Sequence, residues 1–327
     1  MNAERERIAG FGRLEAGLHQ AGDWYIWGPY VTERQWGTVR EDYSADGSAW
    51  DYFPHDHARS RAYRWGEDGL AGFCDIEQRL CLGLALWNGR DAILKERPFG
   101  LTGPQGNHGE DVKEYWWYLD ALPSHAWNRW RYHYPQGPFP YDDLVRTNAA
   151  RNRFQPEYEL LDTGAFDGDR YWITEVSYAK AGPDAETVHV LPTAWFRNTW
   201  SWDADAPRPV LAAAGDAAVR IGHPFLGELE LLAGPGPGVP DGTSPTLLFC
   251  ENETNLARLY QAAPTTAYPK DGINDHVVSG AATVNPEQRG TKMLVLVPAD
   301  RRARRHGRAA PAPAPPGRPA QRQRTTR

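Results

Sequence analysis

The sequence predicts an all-β fold, a large antiparallel β-sandwich with short helices and a disordered C-terminal tail. Many short segments are rich in β-branched and aromatic residues, and several alternate apolar with polar positions. The 32 Gly and 27 Pro residues separate these segments. Few segments carry the i, i+3, i+4 apolar spacing of a long helix. Short strands with frequent turn signals are typical of sandwiches and barrels.

The clearest hairpin signal lies in residues 79–97. Leu80, Leu82, Leu84 and Leu86 alternate with other residues, as on one face of a strand. Asn88-Gly89 then predicts a tight turn, after which residues 92–97 are expected to return as the partner strand.

The remaining elements follow from the same signals. After a Gly-rich loop at 101–111, an aromatic run predicts a strand at 112–122, and residues 140–153 predict a short surface helix. Further strands are expected at 159–166, 170–179, 188–198, 227–232, 246–250 and 293–300.

The chain divides into three parts by composition. Residues 1–22 form a polar lead-in, residues 23–298 the sandwich domain, and residues 299–327 an Arg/Pro-rich tail. The tail lacks aromatic and branched aliphatic residues and is therefore expected to be disordered. The tail could be a basic arm that binds an anion, a run of charges that is only solvated, or the product of a shifted reading frame near Lys292. The solvated run without a binding role is the preferred interpretation.

Charge and cysteine content narrow the function classes. The whole chain carries a net charge of −6 and residues 301–327 hold nine Arg and no acid, so residues 1–300 are strongly acidic, which argues against nucleic acid as a partner. Three cysteines without a C-x-x-C motif predict neither a disulfide framework nor a zinc site. The N-terminus has charges where a signal peptide needs an apolar run, and no window predicts a membrane span. A cytoplasmic location is therefore expected.

The segment from Trp27 to Phe73 is the richest in chemistry. It combines many aromatic residues with Arg, Asp, Glu and His, and its only branched aliphatic residues are Val31, Val39 and Leu70. Aromatic faces beside charged hydrogen-bonding groups suit a saccharide, which has an apolar face and a rim of hydroxyls. The same residues could equally form a structural network that touches no ligand.

Substrate-binding candidates share this segment and these side-chain types. They are Trp36, Arg40, Asp42, Tyr43, Asp51, His55, Asp56, His57, Arg59, Arg64, Glu67 and Asp68.

Other motifs carry little signal. His55-x-His57 and His108-x-Glu110 have spacings that a metal could use, but such pairs are common by chance, and no metal or other cofactor is predicted. No G-x-S-x-G nucleophile motif is present. The aromatic cluster at 195–202 is more typical of core and loop packing than of a sugar platform.

Long blocks of the sequence resemble glycoside hydrolase family 63, the family of the mannosyl-oligosaccharide glucosidases. The resemblance is carried by ERQWGTVREDYSADGSAWDYFPHDHARSRAYRWGEDGLAGF, LALWNGRDAILKERPFGLTGPQGNHGEDVKEYWWYLDALPSH, ELLDTGAF and LPTAWFRNTWSW, and it extends over about residues 20–292. It implies an N-terminal β-sandwich that accompanies a catalytic (α/α)6 barrel. It also implies hydrolysis of α-glucosidic bonds with inversion, by a carboxylic acid and a carboxylate base, without a metal.

The resemblance places both catalytic carboxylates in the barrel, and no helical array follows Lys292 in this sequence. The chain is therefore expected to be a non-catalytic sandwich, with the saccharide of the complete enzyme and the barrel as its partners. A carbohydrate-binding or protein-interaction module is the alternative. A self-contained hydrolase using two carboxylates of residues 51–68 is least favoured. At 179–192 the family pattern has an additional strand, whose loss would expose a sheet edge.

Overall fold

The computed structural model describes residues 26–30, 57, 59–62, 72–94, 116–122, 127–152, 154–179, 193–233 and 244–296. The strands are β1 Trp27–Gly28, β2 Phe73–Asp75, β3 Leu80–Gly83, β4 Trp116–Leu122, β5 Trp127–Pro135, β6 Tyr171–Ala179, β7 Thr193–Phe196, β8 Val210–Ala213, β9 Ala218–His223, β10 Gly227–Leu232, β11 Thr246–Cys250, β12 Arg289–Gly290 and β13 Lys292–Leu296. The helices are α1 Tyr141–Ala149, α2 Leu256–Tyr260 and α3 Gly272–Ser279, with 3-10 helices at Leu160–Thr163 and Asp167–Asp169.

The strands form three antiparallel sheets. The first has six strands in the order β1-β2-β3-β7-β13-β11, the second has the order β10-β9-β8-β12, and the third is β4-β5-β6. The first two pack face to face through a buried apolar core. That core contains Leu80, Ala194, Phe196, Phe249 and Met293 from the first sheet and Leu211, Val219 and Ile221 from the second. The predicted all-β sandwich is thereby confirmed.

The third sheet has its own core. Along β5, Trp130, Tyr132 and Tyr134 are buried, whereas Arg131 and His133 between them are half-buried and Arg129, just before them, is exposed. The buried aromatic face packs with Leu144 of α1 in one apolar cluster. Strand alternation of this kind buries one face and leaves the other polar.

The hairpin prediction at Asn88-Gly89 is wrong. Strand β3 ends at Gly83, and its hairpin partner is β2, on its N-terminal side. The carboxylate of Asp75 shapes that hairpin, since it accepts hydrogen bonds from the backbone N–H groups of Arg79 at 2.6 Å and Leu80 at 2.8 Å. Asn88 instead accepts from two backbone N–H groups just after it and donates to carbonyls at the end of β5, so it anchors a loop.

The predicted strand at 159–166 is also wrong, because this stretch contains a 3-10 helix. The side chains of Glu159 and Asp162 form a capping box at its start, and Gly164 ends it in the left-handed region at φ 73°. The strands expected at 112–122, 170–179, 188–198, 227–232, 246–250 and 293–300 are present at least in part, as is the helix at 140–153. The lead-in, the tail and the additional edge at 180–192 lie outside the described residues.

His223 closes the turn between β9 and β10. Its Nδ1 accepts hydrogen bonds from the backbone N–H groups of Phe225 at 3.1 Å and Leu226 at 3.2 Å. Burial lowers the pKa of His223, and the nearby Arg79 charge lowers that pKa further. The neutral imidazole is therefore favoured, and only the neutral form can accept these bonds.

We expect His223 to make stability depend on pH. As pH falls below about 6.5, the imidazole of the unfolded chain takes up a proton before the folded one, so the free energy of unfolding decreases. His223→Asn should keep a turn acceptor without this titration. When the pH is lowered from 7 to 5, the free energy of unfolding of the wild type should fall by about 1 kcal/mol more than that of the variant. Urea unfolding at the two pH values measures this difference. His276→Asn is the control, and equal losses in wild type and His223→Asn would contradict the assignment.

Candidate functional site

The candidate site lies on the face of the six-stranded sheet that points away from the second sheet. Directly opposed residues on neighbouring strands share a face. The register therefore gives one line of neighbours that crosses five strands, here called the cross-strand row: Cys74, Cys81, Trp195, Lys292 and Cys250.

The cross-strand row is buried, although it is not uniformly apolar. Lys292 is only 4% exposed, and it lies between two separate apolar clusters. One cluster joins Cys74, Cys81 and Trp195, and the other joins Cys250 with Ile273 of α3. This composition contrasts with the continuous apolar core on the opposite face.

Two hydrogen-bonding groups on β7 are unsatisfied. Thr193 and Trp195 lie two residues apart and thus on the same face, and they are 5% and 2% exposed. Within the structure as described, neither the Thr193 hydroxyl nor the Trp195 indole nitrogen has a hydrogen-bond partner. Buried polar groups without partners are rare and costly, so each calls for a physical explanation.

The cysteines of the cross-strand row are not set up for nucleophilic chemistry. All three cysteines of the chain are buried, and none of them forms a disulfide bond. Burial raises the pKa of Cys74 well above its ordinary value, and the adjacent Cys81 thiol raises it further. A buried thiol with a raised pKa forms little thiolate, which is the reactive species.

A second part of the site is the short segment 59–62, which is fixed to the region of α2 and α3. The Ser60 hydroxyl donates to Asp271 at 2.7 Å, and the Ser60 carbonyl accepts from the backbone N–H of Asn255 at 2.7 Å. Lys270, 2% exposed, donates from Nζ to the carbonyl of Arg61 at 2.9 Å. These bonds join residues about two hundred positions apart in sequence.

Asp271 is the centre of this attachment. It is 1% exposed, and its carboxylate accepts from Ser60, from Asn255 at 3.0 Å and from the guanidinium of Arg258. Arg258 also pairs with Asp275 at 2.5 Å. The hydrogen bond with Asp275 raises the pKa of Arg258, and the charge of Asp271 raises it further. Partial burial of Arg258 acts in the opposite direction but is outweighed.

The segment and the cross-strand row are linked through Lys270. The Cys250 thiol donates to the Lys270 carbonyl at 3.6 Å, and Cys250 is the last residue of the row. The Lys270 ammonium in turn holds Arg61. The segment 59–62 is therefore attached next to the β11 end of the row.

Of the predicted substrate-binding residues, His57 and Arg59 are described. Both are half-buried and lie at this attached segment. Nδ1 of His57 and Nε of Arg59 are buried atoms that have no hydrogen-bond partner within the part of the chain that the structure describes. The other candidates lie outside the described residues: Trp36, Arg40, Asp42, Tyr43, Asp51, His55, Asp56, Arg64, Glu67 and Asp68.

A polar cluster at the end of β11 did not figure among the predicted sites. Glu253 accepts from the Trp200 indole at 2.9 Å and pairs with Arg208 at 2.8 Å, and Arg208 also pairs with Glu251 at 3.0 Å. Thr265 donates to Glu253 as well. The sequence signal that could have indicated this polar cluster is the aromatic cluster at 195–202, to which Trp200 belongs. Because these carboxylates already have partners, the cluster is best explained as structural.

Within the described ranges, no group of three or more His, Cys, Asp or Glu side chains could hold a metal ion. None of the helices in those ranges is long and apolar enough to cross a membrane.

Comparison with known proteins gives one informative match. The chain is 38% identical, over 87% of its length, to the uncharacterized protein YMR196W of Saccharomyces cerevisiae. The chain spans only 30% of the length of that relative. No protein-family model matches the chain, and no solved structure matches it.

Proposed function

We propose that this chain is the β-sandwich part of an α-glucosidase similar to glycoside hydrolase family 63. The observation that carries the proposal is the long sequence resemblance over residues 20–292. Two further findings support it. The fold is an antiparallel sandwich, as the resemblance implies. The yeast relative is also much longer than the matched region, which leaves room in that protein for a second, catalytic domain.

The proposed role of the sandwich is to support the catalytic domain and to form one wall of the saccharide pocket, in the cytoplasm. His57 and Arg59 belong to the segment that the resemblance assigns to this wall, and the structure places them at the attached segment 59–62. In this proposal the acid and base that hydrolyse the α-glucosidic bond belong to the catalytic domain. The sandwich binds and orients but does not itself cleave.

We therefore expect residues 1–327 alone to release no p-nitrophenol from p-nitrophenyl α-glucoside and no glucose from α-glucosyl disaccharides. The physical reason is that inverting hydrolysis needs two carboxylates placed across the bond. The measurement is a glucose-release assay on the purified chain, with a characterised α-glucosidase as the positive control. Hydrolysis that disappears when one carboxylate in residues 41–68 is replaced would overturn the proposed division of roles.

A second candidate function is a carbohydrate-binding or protein-interaction module, for which the exposed face of the third sheet is the supporting feature. Arg129 and Arg131 both pair there with Glu175. The hydrogen bond from Arg131 lowers the pKa of Glu175 most, and the one from Arg129 lowers it further. Ile173, on the same face, is 58% exposed. Calorimetric titration with gluco-oligosaccharides tests the carbohydrate-binding form: heat of binding that Arg131→Ala abolishes would favour it, and no heat would remove it.

A further inference from the structure

We infer that Asn88 is a modification site, where deamidation by water converts the side chain into aspartate or isoaspartate and detaches the loop that it anchors. In the folded chain the anchor itself holds this reaction back. The inference starts from the sequence, in which Asn88-Gly89 is the only Asn-Gly pair. It does not rest on the proposed function.

The chemistry needs a flexible residue after the asparagine. The backbone nitrogen of that residue attacks Cγ of the asparagine side chain and forms a C–N bond. The side-chain amide takes the proton of the attacking nitrogen and leaves as ammonia. Water then opens the resulting five-membered imide at either C–N bond, which gives aspartate or isoaspartate. Glycine permits this approach best, because it has no Cβ and the widest range of backbone angles.

Gly89 lies in open surroundings. It is exposed and has φ 78°, and a Cβ added to it would meet nothing within 4 Å. Arg90 after it is exposed as well. Solvent therefore reaches the pair from the glycine side, and no packed neighbour there holds the chain still.

The asparagine side chain, in contrast, is held at both of its polar atoms. Nδ2 donates to the carbonyl of Pro135 at 2.9 Å and to that of Gly137 at 2.7 Å. Oδ1 accepts from the backbone N–H groups of Arg90 and Asp91, both at 2.9 Å. Ring closure turns Cγ towards the glycine nitrogen and removes Nδ2 as ammonia, so both donor bonds must break. The folded chain should therefore react only through local openings of the loop.

The product cannot restore the anchor. A carboxylate only accepts hydrogen bonds, so it would face the same two carbonyl oxygens without a proton to share. Asp91 belongs to the same loop, and its carboxylate accepts from the Tyr134 hydroxyl and from the backbone N–H of Phe139 at 2.5 Å. Deamidation of Asn88 therefore loosens, in one irreversible step, the loop that packs at the end of β5.

The first test compares conversion in the folded 327-residue chain with conversion in the same chain unfolded by guanidinium chloride, at one pH and one temperature. Trypsin releases the pair within the peptide 80–90. The mass and the chromatographic retention of this peptide distinguish asparagine, aspartate and isoaspartate. We expect the folded chain to react at least about tenfold more slowly, because opening of the loop limits the reaction.

The second test uses Asn88→Asp as a mimic of one product. We expect this variant to unfold at a lower temperature than the wild type, because both donated hydrogen bonds are lost and a carboxylate faces two carbonyl oxygens. Asn152→Asp is the matched control. Asn152 is exposed, and its Oδ1 accepts from the backbone N–H of Phe154 at 2.9 Å, a bond that a carboxylate keeps. The control should unfold at the temperature of the wild type.

Any of three outcomes would overturn the inference. A folded rate equal to or above the unfolded rate would mean that the anchor does not restrain the reaction. An unfolded chain that does not convert would mean that the pair is not a modification site. An Asn88→Asp chain as stable as the control would mean that the product leaves the loop in place. Neither saccharide binding nor glucosidase turnover enters these measurements, so their failure is distinguishable from failure of the proposed function.

Discussion

Replacing Asp271 by asparagine is expected to destabilise the protein by about 3 kcal/mol, since it removes one member of a buried charge pair. The Asp271 carboxylate accepts from Ser60, Asn255 and Arg258 and is 1% exposed. An amide cannot accept from all three and would place a donor among donors. The partial exposure of Arg258 keeps the expected loss at the lower end of the range for buried pairs.

The same substitution should release the attached segment locally. Arg59 and Arg61 are trypsin sites next to Ser60, whose hydroxyl is held by Asp271. We expect faster cleavage there in Asp271→Asn than in the wild type, together with a lower urea midpoint. Asp275→Asn is the control, because the Asp275 side chain is more exposed and its pair with Arg258 is worth about 1 kcal/mol or less. Equal stability and equal cleavage in wild type and Asp271→Asn would contradict this role.

Replacing Gly290 by alanine is the second large expected effect. Gly290 lies in β12 of the second sheet, two positions before β13 begins in the first, so the chain crosses between sheets here. A Cβ at this position would overlap the carbonyl oxygen of Cys250 and lie 2.9 Å from its carbonyl carbon. Both contacts are backbone, so neither strand can yield without disturbing the pairing around it.

We expect Gly290→Ala to lower the free energy of unfolding by about 3 kcal/mol, as an overpacked site does when backbone must move. Denaturant unfolding measures it. Gly137→Ala is the matched control, because a Cβ there meets nothing within 4 Å, and it should stay within about 0.5 kcal/mol of the wild type. A Gly290→Ala protein as stable as that control would show that the crossing is not tightly packed.

Local sequence patterns predicted the fold class and several elements. The aromatic run at β4, the alternating residues of β10 and the short helix α1 all carry their signals within a few residues. Strand β5 carries one too, since Trp130, Tyr132 and Tyr134 alternate with Arg129, Arg131 and His133. This strand is nevertheless absent from the predicted elements. The hairpin was predicted at the wrong place, at Asn88-Gly89. The actual hairpin between β2 and β3 depends on the side chain of Asp75, which a pattern of apolar and turn residues does not reveal.

The site could be predicted only in part. The richness of the Trp27 to Phe73 segment is visible in the sequence, and His57 and Arg59 do carry unsatisfied nitrogens. The cross-strand row is different, because it joins Cys74 to Cys250 through strands that are distant in the chain. Register between such strands follows from packing over the whole sheet and not from any local pattern. Thr193 and Trp195 accordingly looked like ordinary strand residues.

The most direct test of the central claim is the stereochemistry of hydrolysis by the longer yeast relative. Proton NMR would follow the full-length protein acting on a panel of α-glucosyl disaccharides, with a version lacking the region matched by this chain alongside. We expect release of glucose that first appears as the β-anomer, the mark of inversion, and loss of that activity in the truncated version. No glucose release from any substrate of the panel, or first release of the α-anomer, would contradict it.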